Sequence, residues 1–119
     1  MEIHSHTTGG STLLEIGSDG PLISTVEDAT DLIGNLYGHD FDAVLVHRQQ
    51  FGTGFFDLKT GLAGEVLQKF SNYRIRLFIA GTFSDIQSNS LRDFIRESNK
   101  RKQVNFVATV DEALLLLHS

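Results

Sequence analysis

The 119-residue sequence has no cysteine, no tryptophan, one proline and one methionine. Without cysteine there is no disulfide scaffold, no thiolate metal site, no cysteine nucleophile and no redox dithiol. No apolar run approaches the roughly 18 residues of a membrane span, and Met1 to His6 lack the basic-then-apolar order of a secretion signal. These absences lead to the expectation of a cytoplasmic protein that makes no use of a membrane. Lys and Arg are missing altogether from residues 1 to 47, which hold eight acids. All ten Lys and Arg lie beyond, beside seven acids, so formal charges of −8 and +3 compose the net −5. Such a dipole steers a partner, favours head-to-tail association, or is neutralised inside the fold. What is present, 40% hydrophobic and 21% charged residues, suits a folded chain. No linker, repeat or low-complexity tract divides it, so residues 1–119 are expected to form a single domain.

Local signals order the chain. Ile3 to Thr7 and Thr12 to Ile16 are short and β-compatible, and Gly9-Gly10 between them suits a tight hairpin turn. Pro21 can start an extended piece through Leu22 and Ile23. Ser24-Thr25-Val26-Glu27 has the form of a capping box, predicting a helix with Val26, Ala29, Ile33, Leu36 and Tyr37 on its buried stripe and a stop at Gly38. Phe41 to Val46 reads as a buried strand, and a helix is predicted from near Asp57 to about Ser71. Arg74 to Ala80 is a second central strand, followed by a helix capped by Ser90. Val104 to Ala108 is a last strand, and Thr109-Val110-Asp111-Glu112 opens a final helix through Leu117. Strands alternating with helices predict an α/β fold: a mostly parallel sheet of four or five strands, an N-terminal β-hairpin and four helices.

Two long stretches carry a resemblance, Phe55-Phe56-Asp57-Leu58-Lys59-Thr60-Gly61-Leu62 with its continuation to Arg74, and Ser90-Leu91-Arg92-Asp93-Phe94-Ile95-Arg96-Glu97-Ser98-Asn99. In these the chain resembles a bacterial family catalogued as domain of unknown function 4180 (DUF4180), which brings no activity with it. More distantly it is similar to STAS domains, the fold of anti-sigma-factor antagonists, through its element order and the Thr109, Asp111, Glu112, Ala113, Leu114 helix start. STAS proteins carry Asp-Ser-Ser-Gly-Leu where this chain has Asp57-Leu58-Lys59-Thr60-Gly61-Leu62. Aligning Gly61 with the motif glycine puts Lys59 at the phosphorylated serine. The resemblance therefore implies a partner-binding scaffold but not the phospho-switch.

Candidate binding residues cluster where ligands of parallel sheets sit, beyond the carboxyl ends of the strands. They are Arg48, Asp57, Lys59, Thr60, Gly61, Thr82 and Ser84, with Gln49 and Thr109 nearby. A helix opening near Lys59 would offer amides to an anion, while the plain alternative makes Asp57 a cap and Gly61 a packing residue. Phe51, Phe55 and Phe56 are either core anchors or a contact surface. Arg92, Arg96 and Lys100 share a helix face with Asp93 and Glu97 alongside, so local pairing is expected. With a sequence pI near 5.4, nucleic-acid binding is disfavoured. His4 and His6 read as surface residues, with no metal site and no cofactor implied. His47 is the one candidate general base, paired with Asp57 or Thr60. The favoured function is a non-enzymatic regulatory scaffold binding a protein partner or a small anion. The alternatives are a small enzyme using His47, or a module acting through homodimerisation at Leu115 and Leu116.

Overall fold

Gly9 and Gly10 both sit at positive φ, 53° and 84°, a conformation that a two-residue hairpin turn demands and side chains resist. They join β1 (Glu2–Thr8) to β2 (Ser11–Gly17), antiparallel, with His4 opposite Glu15 and His6 opposite Leu13. Strands and helices then alternate: α1 (Val26–Leu36), β3 (Ala43–His47), α2 (Leu62–Asn72), β4 (Arg76–Ala80), α3 (Asn89–Asn99), β5 (Val104–Val107) and α4 (Val110–His118). The computed structural model describes residues 1–118. Its five strands form one sheet in chain order, antiparallel at β1–β2 and parallel at the three following pairs. The α/β class, the hairpin and the four helices are those expected from the sequence.

Successive strand residues point to opposite faces, and the sheet sorts them accordingly. Leu14, Val44, Val46, Leu77 and Ile79 face one way and are buried with Leu32 of α1 and with Val66 and Phe70 of α2, while Phe94 of α3 packs against the same core. Leu13, Leu45, Phe78 and Val107 face the other way, where Ala113 of α4 completes a smaller cluster edged by Leu114 and Leu117. Three helices thus cover one face and one helix the other. α4 starts beyond the carboxyl end of β5, and its last residue, His118, rests against Gly9 in the hairpin turn. Running diagonally, it leaves two opposite corners of its face open.

Several boundaries differ from expectation, each for a local reason. The α1 capping box is Thr25–Asp28, one residue on from Ser24–Glu27. Thr25 Oγ1 accepts from the Asp28 N–H at 3.1 Å, and the Asp28 carboxylate accepts from the amides of Thr25 and Ser24. The second helix opens at Leu62 instead of Asp57. A 3-10 turn over Leu58–Thr60 comes first, and Gly61 at φ 75° cannot continue a right-handed helix. Ser88, not Ser90, caps α3 through the Leu91 N–H. The piece after Pro21 forms only a single bridge, Ile23 to Phe51. The Thr109 cap stands where expected, its Oγ1 accepting from the Glu112 N–H, but the Glu112 carboxylate accepts from the Ala108 N–H, one residue before the cap, instead of closing the box on Thr109.

Candidate functional site

β3 and β4 end side by side, His47 opposite Ala80, and the loops leaving them build a rim. Gln50 organises the first loop from a buried position. Its Oε1 accepts from the His47 N–H at 2.7 Å, and its Nε2 donates to the Ile16 carbonyl at 2.9 Å and Ser18 Oγ at 3.0 Å. A buried amide bonded at both ends fixes its loop without a desolvation penalty left over. Sequence reasoning missed it, because a glutamine between polar and aromatic neighbours carries no pattern. The approach of the loops also depends on two glycines. A Cβ at Gly52 would lie 2.6 Å from Ser24 Oγ, and one at Gly81 2.7 Å from Arg48 Cβ.

Across Gly81, Arg48 reaches the β4–α3 loop, where Nη1 donates to the Thr82 carbonyl and, at 3.0 Å, to the Asp85 carboxylate. That hydrogen bond and charge hold the Asp85 carboxyl below its usual range. The guanidinium carbon lies 5.0 Å from the Phe83 ring centre and 5.8 Å from that of Phe56. Arg48, Phe51, Phe56, Thr82 and Asp85 line an open groove of about 360 Å³. Of the candidate residues, Arg48 and Thr82 therefore meet. Asp57 and Lys59 line the next cleft with Ser88 and Ser90, and Phe56 is the wall common to both. Phe51 and Phe55 are buried while Phe56 is partly exposed, so the aromatic loop supplies both anchors and surface.

Thr60 is occupied by its own loop. Its hydroxyl donates to the Asp57 carbonyl at 2.9 Å and accepts from the Leu62 N–H at 3.2 Å, while the Asp57 carboxylate accepts from the Lys59 N–H. Asp57 and Thr60 thus close amides that the sequence reading offered to an anion. Gly61 and Ser84 lie exposed at the rim.

His47 is not brought to Asp57 or Thr60. It shares the parity of Leu45, which packs under α4, and its Nε2 lies 2.7 Å from one Glu15 carboxylate oxygen; His6 Nε2 lies 2.8 Å from the other. Burial pushes the Glu15 carboxyl up, but the hydrogen bonds of His47 and then His6, with their charges, outweigh it and hold the group below its ordinary value. This His–Glu–His cluster was missed: the two-residue turn fixes the register that brings His6 near Glu15, but His47 arrives through the parallel pairing of β2 with β3. Among the described residues no group of three His, Asp or Glu side chains is placed to hold a metal ion. No described helix is long and apolar enough to cross a membrane.

The basic helix face is paired locally as expected: Arg96 with Asp93 at 2.7 Å and Lys100 with Glu97 at 3.2 Å, while Arg92 Nε donates to the Ile86 carbonyl. On α4, Leu115 is 73% exposed and Leu116 38%.

A model of the family described as "Domain of unknown function (DUF4180)" matches residues 8–117. The chain belongs to the DUF4180 family. No curated protein and no solved structure matches it. The first of the two resemblances is thereby established, whereas the likeness to STAS domains has no solved structure behind it. For this DUF4180 chain the family brings no assigned reaction, and function must be argued from the rim itself.

Proposed function

We propose that this DUF4180 chain is a non-enzymatic regulatory scaffold of the cytoplasm, binding a protein partner or a small anion at the rim between the β3–α2 and β4–α3 loops. The observation that carries this reading is the groove walled by Phe51 and Phe56, at which the Arg48 guanidinium caps the adjoining Phe56 and Phe83 rings from one side, beside Thr82 and Asp85. A cation set against aromatic faces suits an acidic or aromatic side chain of a partner. It lies beyond the carboxyl ends of β3 and β4, the end at which α/β sheets bind ligands, although the unreversed strand order gives this sheet no switch-point crevice. The commitment of His47 to Glu15 favours binding over acid–base chemistry at Thr60.

One observation favours a second reading: Leu115 stands 73% exposed on α4, which suits a homodimer through Leu115 and Leu116. Native mass spectrometry of what tagged variants retain from lysate separates the two. Thr82→Glu is expected to lose the bound species while Leu115→Glu keeps it. Loss on Leu115→Glu alone would transfer function to the α4 face.

A further inference from the structure

The open corner of the α4 face at the amino ends of β4 and β5 holds a second concave surface, remote from the rim. Arg76 at the start of β4 has the same parity as Phe78, and its guanidinium lies flat enough on that ring to sit 4.8 Å from the centre. Nη2 donates to Asn105 Oδ1 at 3.2 Å, and Asn105 is itself held by a bond from Nδ2 to the Arg101 carbonyl. The Nε is shut off from solvent without any hydrogen-bond partner. No carboxylate pairs with Arg76, Arg101 or Lys102 among the described residues. Burial lowers the pKa of Arg76, the direction expected of a charge held without a counter-ion.

Around it the α3–β5 turn brings Lys100, Arg101 and Lys102, and Asn99 joins them. Together with Arg76 and Asn105 these line a groove of about 410 Å³, closed on the other side by Glu112 and Leu116 of α4. Lys100 has an exposed pairing with Glu97, and the Glu112 carboxylate is bonded to the Ala108 amide. Asn99 Oδ1 accepts from the Phe106 N–H, which fixes the amide and leaves its two N–H groups for a ligand. A planar guanidinium oriented by a ring and an amide, ringed by ammonium groups, matches the oxygens of a multiply charged anion.

We propose that this groove is a phosphoryl-binding site, with Arg76 as the oriented cation and Lys100, Arg101 and Lys102 as the surrounding field. The phosphoryl group comes either free, as inorganic phosphate or pyrophosphate, or carried by a nucleotide. The groove lies on the opposite side of α4 from the His6–Glu15–His47 corner and does not depend on the rim reading.

Calorimetric titration of the full chain at low salt with inorganic phosphate, with pyrophosphate and with AMP tests it. Saturable one-to-one binding of pyrophosphate is expected, weakening with added salt. Tighter binding of AMP than of inorganic phosphate identifies the nucleotide source, and equal binding the free anion. Arg76→Met keeps a long apolar chain over Phe78 and is expected to lower affinity about tenfold or more, without lowering the thermal midpoint. Lys102→Gln is expected to lower affinity by about threefold while leaving the fold unaltered. Absence of saturation at about 10 mM pyrophosphate would overturn the proposal. So would wild-type affinity in a folded Arg76→Met, or tighter binding of an oligoglutamate peptide than of pyrophosphate.

Discussion

The two faces of the sheet differ in how they are covered, and the difference separates stability from chemistry. On one face α1, α2 and α3 bury a continuous core containing Phe55 and Phe70, both about 1% exposed or less. On the other, α4 alone crosses the sheet, and its buried contribution is a single Ala113. At the corners α4 leaves open, polar groups replace apolar ones: His6, Glu15 and His47 at one, Arg76 and Asn105 at the other. A strand must put something on both faces, so where the cover ends the inward parity is filled by polar residues. Function is thus expected on the thinly covered face and at the rim, and stability on the other.

Substitutions sharpen this contrast in descending order of effect. Phe70→Ala removes a fully buried ring from the three-helix face and is expected to cost about 3–5 kcal/mol in denaturant unfolding. Ala113→Leu, which wedges α4 from the sheet, is expected to cost about 1–3 kcal/mol while leaving the thick core folded. Glu15→Gln weakens both histidine bonds and is expected to cost about 1 kcal/mol at neutral pH. The sign of its pH dependence follows from the lowered Glu15 carboxyl. The stabilisation is complete above the unfolded carboxyl value, near pH 4.3, and is lost as pH falls through the lower folded value. Unfolding curves of wild type and Glu15→Gln should therefore draw together as the pH falls below the unfolded carboxyl value and through the lower folded one; a gap that does not narrow on acidification would contradict the cluster.

At the C-terminus of α2, Arg74 stands at φ 57°. The Ile75 N–H bonds the Phe70 carbonyl and the Arg74 N–H the Ser71 carbonyl, the pairing of a Schellman end that favours glycine at this position. Arg74→Gly is expected to raise stability by about 0.5–1 kcal/mol. Leu115→Glu, on the exposed side of α4, is expected to change it by less than about 0.5 kcal/mol.

The fold was largely legible because its signals are local. Gly9-Gly10 dictates a hairpin, Thr109–Glu112 a helix start, and the apolar runs at Val44 and Phe78 strands covered on both sides. Boundaries slipped where one residue type permits two solutions. Asp28 outcompeted Glu27 for the cap because it accepts from two amides at once. Gly61 could pack within a helix or turn left-handed before one, and it does the latter. The rim was readable as a neighbourhood, through strand order, and so Arg48 and Thr82 were found. The contacts were not, since the Gln50–Ile16, Arg48–Asp85 and Glu15–His47 bonds join residues 32 to 37 positions apart. Arg76 escaped notice because a lone arginine opening a strand shows nothing of the loop that will fold beside it.

Native-state amide hydrogen exchange tests the central division most directly, because it reads the opening free energy of each element separately. The amides of α2, β3 and β4 are expected to exchange only through global unfolding. Those of α4 are expected to exchange through a partial opening of lower free energy that leaves the three-helix face intact. Exchange of the α4 amides at the same free energy as those of α2 would contradict the account.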